Sequence, residues 1–389
     1  MFENHLINFE ILNQRAHNLR WANVPDGVIP LTAADPDFPC APEITAAIQK
    51  FIKDRYFCYA PPEGYLFFRE AAAQFFYTKR NIVVNPANIL PVDSAAFGIE
   101  LICRSFLKPG DEAIVFDPVD FLFKYAIENQ GATAVSLPIP INPVLSIDYQ
   151  QLESLITTKT KLLCLCNPVN PTGKVFTKEE LETIGRIAIK HQLIILADEI
   201  WSDIVFHPSA FTSIASLDSN IAKQTIVVTG FSKSYALAGL RIGLLMTLND
   251  QYFQQIFTTS QHSSTVHGAN VLGQVAATSA LTDCDYWLQS FLQHLEKIRD
   301  IGYQSINNIE NISCFSPQGC YLFWCDIRNT GYSSSELTAL LLNKAKVYVV
   351  PGLPKWFGKE AEGFIRICFS TSETVFKEAM ERIKNTLTN

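Results

Sequence analysis

An α/β fold, with a large, mostly parallel, doubly wound sheet and a smaller α+β domain beside it, is predicted by three observations. Five short apolar runs, at residues 112–116, 132–137, 161–166, 193–197 and 225–229, alternate with stretches of helical apolar spacing. These runs lack the polar alternation of a half-exposed strand, so each is expected to be covered on both faces, as strands of a parallel sheet are. From about Asp283 the rhythm changes to one long polar helix over 285–307, followed by strand patterns at 319–326, 346–350 and 364–369. The change predicts a large domain over 41–284 and a small domain made of 1–40 and 285–389.

The elements ahead of the sheet follow the same logic. After an irregular, proline-containing start, 43–56 and 65–79 carry apolar residues at helical spacing, and Pro42 precedes the first as an N-terminal marker. A further helix is expected over 96–107, entered from Ser94 and Ala95. With 389 residues, 48% of them hydrophobic and 18% charged, the chain has ample material for a large core.

Charge and composition exclude several classes of function. The formal net charge is -7, from 31 Lys and Arg against 38 Asp and Glu, so no sequence-wide attraction draws the chain to nucleic acid. Ten cysteines are scattered without a C-x-x-C pair in a chain too long to need a disulfide framework, which points to a reduced, cytoplasmic setting. The opening MFENHLINFE has neither the basic nor the apolar region of a signal peptide. The longest apolar run, 236–246, is interrupted by Arg241 and falls far short of the roughly 20 residues that cross a bilayer. His262 and His267 lie five apart in a polar loop, outside any zinc spacing, so no metal is expected and both are read as solvated. Neither G-x-G-x-x-G nor a G-x-x-x-x-G-K-[ST] loop occurs, which disfavours a nucleotide-binding protein.

Four polar features fall where a doubly wound sheet places ligands, beyond the carboxyl ends of its strands. The run 161–166 leads into Asn167-Pro168-Val169-Asn170-Pro171-Thr172-Gly173, and 193–197 leads into Asp198-Glu199-Ile200-Trp201. The run 225–229 leads into Gly230-Phe231-Ser232-Lys233, and Arg241 follows in Gly239-Leu240-Arg241-Ile242-Gly243. Singly each is weak, since N-P-T-G makes a turn and a lysine after a strand is usually solvated. Together they deliver a polar group from each strand end to one crevice.

In this order the motifs resemble the fold-type I aminotransferases of classes I and II, over nearly the whole chain from Ala33-Ala34-Asp35-Pro36-Asp37-Phe38 to Arg366. The resemblance implies pyridoxal 5′-phosphate as cofactor, held by Lys233 as a Schiff base, and amino transfer from an L-amino acid to a 2-oxo acid. Such a cofactor needs an anchor, a protonated ring nitrogen and a bound phosphate. Asp198 matches the carboxylate facing the ring nitrogen, and Asn170 the donor to the phenolic oxygen. Trp201 stands where relatives often have a tyrosine for that same oxygen; an indole N–H can donate but cannot exchange a proton as a hydroxyl does. The phosphate is expected to meet Arg241, Ser232 and the helix start at Ser94 and Ala95. Gly230 replaces a serine common among relatives, and Ser94-Ala95 replaces their glycine-containing turn.

By the same resemblance, Tyr59 reaches the phosphate of a neighbouring subunit, which implies a homodimer with shared sites. Arg366 binds the substrate carboxylate, with Asn170 and Ala34 beside it. An arginine inside the apolar strand pattern 364–369 is costly to bury without an anion, which supports that role independently. Relatives stack an aromatic ring on the cofactor from P-x-Y or P-x-W, whereas Pro118-Val119-Asp120 ends in a carboxylate; Phe121, Phe123 or an unmatched residue is left to replace the ring. A carbon-sulfur β-lyase similar to cystathionine β-lyase is the alternative activity, since A-D-x-D-F and the isoleucine of D-E-I occur there too. A cofactor-sensing regulator would carry an added basic N-terminal domain; here the enzyme-like segment begins by about residue 28, so a regulator is not expected.

Overall fold

The computed structural model describes residues 2–140 and 146–388. After a first short strand, β1 (Ile29–Pro30), seven strands build the main sheet: β2 (Ile89–Val92), β3 (Glu112–Asp117), β4 (Thr133–Pro138), β5 (Thr160–Cys166), β6 (Ile194–Asp198), β7 (Thr225–Gly230) and β8 (Gly243–Thr247). Their spatial order is β2-β8-β7-β6-β5-β3-β4. Pairing is parallel from β7 to β4, and β8 runs antiparallel to both of its neighbours.

The absence of polar alternation in these strands has the expected cause. On β5, Leu163 and Leu165 join one core while Leu162, Cys164 and Cys166 join the other. Ile195 and Ala197 on β6 likewise face away from Leu196, and Val227 on β7 away from Ile226 and Val228. One core is closed by the helices Ala95–Phe106, Leu122–Glu128 and Asp250–Ser260, through Ile102, Phe123 and Phe253 among others. The opposite core is closed by Leu66–Arg80, Lys178–Lys190 and Val271–Asp283. Each fully buried Leu, Ile or Phe contributes about 1.5–3 kcal/mol, so covering both faces is the main source of stability. The helix Lys178–Lys190 starts at a capping box in which Thr177 and Glu180 satisfy each other's backbone N–H groups.

A second sheet contains β9 (Ser313–Cys314), β10 (Leu322–Asp326), β12 (Val350–Pro351) and β13 (Phe364–Cys368), in the antiparallel order β12-β13-β10-β9. Between them, β11 (Val347–Tyr348) pairs in parallel with β1, joining the two ends of the chain. The single strand expected over 346–350 is thus divided between two partners. The long polar helix forms over Asp285–Asn307 as expected, and the helix expected over 43–56 stops at Ile52. Four strands were not apparent in the sequence: β1 and β9, of two residues each, β2, only four residues long, and β8, hidden in the apolar run around Arg241.

The segment 32–37 is pinned between these layers. The Arg20 guanidinium pairs with Asp37 in the interior, both side chains being 2% exposed, and donates to the carbonyls of Pro30 and Ala33 at 3.0 and 3.2 Å. Trp21 Nε1 donates to the same carboxylate at 2.8 Å, and Ser370 Oγ donates to the Asp35 carbonyl at 2.9 Å. Replacing Asp37 by Ala strands the guanidinium and is expected to cost about 3–5 kcal/mol of unfolding free energy. Urea unfolding followed by tryptophan fluorescence measures this, and an unchanged midpoint would show that the pair does not stabilise the fold.

Candidate active site

The site lies beyond the carboxyl ends of β3, β5, β6 and β7, where the chain order of the strands reverses between β3 and β5. The turn after β5 is held by its first and last residues. Asn167 Oδ1 accepts from the Phe176 N–H at 3.1 Å, and the Asn167 N–H reaches the Asp198 carbonyl at 2.9 Å. Gly173 has φ +71° and lies so close to Pro317 that a Cβ would fall 2.5 Å from its ring. Asn170 is thereby left to face the crevice. Its Nδ2 donates to Asp120 Oδ2 at 2.7 Å, and its Oδ1 accepts from Arg366 Nη1 at 3.0 Å.

Arg366 is only 8% exposed, in the middle of β13. Its Nη2 donates to the Thr32 carbonyl at 3.2 Å and its guanidinium carbon sits 5.2 Å from the Phe357 ring centroid, but Nε has no hydrogen-bond partner. A buried cation with spare donors is suited to receive a carboxylate.

Lys233 Nζ donates to the Ala34 carbonyl at 2.7 Å and lies 3.6 Å from Asp35 Oδ1. Tyr321 donates to the same carbonyl at 3.0 Å, which fixes the acceptor. Asp198, the last residue of β6, is buried with its Oδ1 accepting from the Ile200 N–H at 3.1 Å. Burial pushes its carboxyl up to about 7, the nearby Asp120 charge adds to the rise, and Lys233 opposes it. Such a carboxylate gains from a cationic partner. Glu199 is likewise held at about 7 by burial, but it accepts from Ser213 Oγ at 2.7 Å, inside the protein. Trp201 is a core residue, edge-on to Tyr321 with ring centroids 4.7 Å apart; the Lys233 ammonium lies 5.7 Å from its ring.

At the other end of the crevice, Gly230 on β7 pairs with Gly243 on β8, which pairs with Val92 on β2. The helix Ala95–Phe106 begins directly after β2, capped by Ser94, whose Oγ accepts from the Phe97 N–H at 3.1 Å. A Cβ on Gly243 would lie 2.8 Å from the Ala95 nitrogen, so glycine is needed for β8 to pass the helix start. At Gly230 a Cβ would meet nothing closer than 3.5 Å, leaving room beside Ala95. Ser232 follows two residues later. Exposed Arg241 stands beside this cradle with φ +50°, a conformation that costs a non-glycine residue about 1–2 kcal/mol. Room, a helix N-terminus, a hydroxyl and a guanidinium fit a phosphate, and Lys233 and Asp198 fit the aldehyde and ring nitrogen of pyridoxal phosphate.

A family model, aminotransferase class I and II, matches residues 26–383. The chain belongs to that family. It is similar to an aromatic-amino-acid aminotransferase of Thermococcus litoralis, 30% identical over 93% of this chain and 92% of the relative. It is similar also to cystathionine β-lyase PatB of Bacillus subtilis, 26% identical over 92% of both. The crystal structure of an aromatic aminotransferase from Pyrococcus horikoshii superposes with a TM-score of 0.87 at 28% identity, covering 94% of this chain and 96% of that one. The protein is thus a pyridoxal-phosphate-dependent aminotransferase acting on amino acids and 2-oxo acids.

Several expectations need correction within this family frame. Phe123, one of the two phenylalanines considered for the missing stacking ring, is 1% exposed in the core behind the sheet and cannot serve; Phe121 is exposed, its ring meeting Tyr125. Asp120 itself is what that loop presents to Asn170. His262, expected to be solvated, is 1% exposed, and burial lowers its affinity for a proton. Tyr59 is not drawn to Lys233 of its own chain; it is 82% exposed, with its ring 4.8 Å from that of His267. Among the described residues no His, Cys, Asp and Glu cluster could hold a metal, and no helix is long and apolar enough to cross a membrane.

The raised Asp198 carboxyl sets the pH dependence of stability for protein stripped of cofactor. Between its ordinary value of 3.8 and the folded value of about 7, the folded chain keeps a proton that the unfolded chain has released. Stability attributable to this group therefore falls as pH rises through that window. Asp198→Asn, which cannot titrate, is expected to gain on the unsubstituted protein between pH 5 and pH 8 in parallel urea titrations. A stability difference independent of pH would contradict the assignment.

Proposed function

We propose that Lys233 carries the cofactor and moves the substrate α-proton, with Asp198 on the ring nitrogen, Asn170 on the phenolic oxygen, and Ser94, Ala95, Ser232 and Arg241 on the phosphate. The convergence of Lys233, Asp198 and the Arg366–Asn170 pair, from four separate elements, on one crevice supports this reading. Bound pyridoxal phosphate supplies a ring that accepts the electron pair freed when the α-proton leaves. Arg366 holds the substrate carboxylate through its guanidinium fork, and Asn170 keeps that fork in place. Ala34 fixes the Lys233 amine through its carbonyl and so sets where the amine reaches the α-carbon. Buried Trp201 closes one side of the chamber and excludes water.

The reading extends to assembly and compartment. The large domain is taken as 41–284 and the small domain as 1–40 with 285–389, the crevice lying between them. Tyr59 serves the phosphate of a second copy, in a homodimer; Tyr56, Phe57 and Tyr59, 77%, 67% and 82% exposed, form an apolar face suited to it. Ten free thiols suit a reduced cytoplasmic setting.

Borohydride treatment of the holoenzyme is expected to fix the cofactor on the peptide containing Lys233; attachment elsewhere would overturn the assignment. Lys233→Ala should abolish turnover and retain noncovalent cofactor. Given an amino acid and no 2-oxo acid, the enzyme is expected to stop after about one equivalent per site, with the cofactor left as pyridoxamine phosphate. Continuous release of pyruvate and ammonia from cystathionine would instead favour the β-lyase activity.

A further inference from the structure

We propose that Asp120 is a specificity residue that binds the cationic end of the amino donor, so that the preferred donors are amino acids with a side-chain amine or guanidinium. The inference rests on the aminotransferase reading of this crevice and adds the substrate class. It begins from a count of charge. Around Lys233 the crevice holds three carboxylates, Asp35, Asp120 and Asp198, and two cations, Lys233 and Arg366. Each cation and one of the carboxylates has a duty in the loaded enzyme. Asp198 faces the ring nitrogen, the Lys233 amine is taken up by the cofactor, and the substrate carboxylate occupies Arg366, whose Nε is unpartnered.

Two carboxylates are left over. Asp35 remains in the field of the buried Arg20 guanidinium. Asp120 has only neutral hydrogen-bond donors, the Asn170 amide at 2.7 Å and the Leu122 N–H at 3.3 Å, while the Arg366 and Lys233 charges that act on it through space are engaged by the substrate carboxylate and the cofactor. It is half-buried at the mouth of the crevice, beyond the end of β3, so a ligand can reach it. A carboxylate accepts at about four positions, and two are filled. An acidic side chain would be repelled there and a neutral one would leave the charge unpaired, whereas an ammonium or guanidinium completes it.

The test is a titration of the holoenzyme's cofactor absorbance with ornithine and norvaline, and with lysine and norleucine. Each pair differs in a terminal ammonium and shares the α-amine and α-carboxylate. The cationic member of each pair is expected to bind about 10-fold or more tightly, the span of a charge-assisted hydrogen bond. Asp120→Asn should reduce that ratio to about one, the ratio cancelling any change that reaches both members of a pair through Asn170 and Arg366, and Asp120→Glu should retain a preference. Equal affinities within each pair, or a preference that survives Asp120→Asn, would overturn the proposal. Where Asp120→Asn fails to load cofactor, the wild-type ratios and Asp120→Glu still decide. Product analysis on the same samples separates the two readings. Tight cationic binding without pyridoxamine phosphate leaves Asp120 in its role and refutes amino transfer, whereas turnover with equal affinities does the reverse.

Discussion

The hydrogen bond from Arg366 to the Asn170 amide joins the second sheet to the carboxyl ends of the main one, across the crevice between them. A guanidinium in the centre of an apolar strand is tolerable only if its donors are met. Here two of them are met by groups that β13 does not own, Asn170 from the turn after β5 and the carbonyl of Thr32 from the N-terminal segment, while Nε is left without a partner. Each partner is in turn immobilised. Asn170 is tied to Asp120 on the next loop, and the segment that carries Thr32 is held by the buried Arg20–Asp37 pair. On the proposed reading, a substrate carboxylate would enter a receptor assembled before it arrives, which spares the ordering cost of binding.

The main sheet makes this assembly precise. Strands apolar on both faces are clamped between two cores, and their carboxyl ends cannot shift without disturbing both. Loops at these ends are free to carry polar residues that the strands exclude. Close approaches do the remaining work: Gly173 under Pro317 and Gly243 against Ala95 bring backbone to within distances that a side chain would forbid.

Charge in the crevice is poised rather than balanced. Burial lifts the Asp198 carboxyl to about 7, so that a cation at its side recovers free energy lost on desolvation. Asp120 raises it further, and that residue stands where relatives of this family present a ring. Its carboxylate is linked through Asn170 to Arg366. Trp201 shows a different compromise, sharing one ring between the core around Tyr321 and the Lys233 ammonium.

The class of fold and the polar groups at the strand ends were legible in the sequence because both depend on local rules. Period and apolar continuity marked β3 to β7, and the turn chemistry of residues 167–173 together with Asp198, Lys233 and Arg241 marked the strand ends. Other features had no local signal. The strand β8 lay inside an apolar run around Arg241, and β2 was too short to show a period. The division of 346–350 between β1 and β12's partner β13 depended on pairing with residues far along the chain. Burial of His262, the placing of Phe123 in the core behind the sheet, and the link from Asp120 through Asn170 to Arg366 were decided by tertiary structure alone. Sequence order states which groups are present at each strand end, but which of them touch is set by the packing of segments distant in the chain.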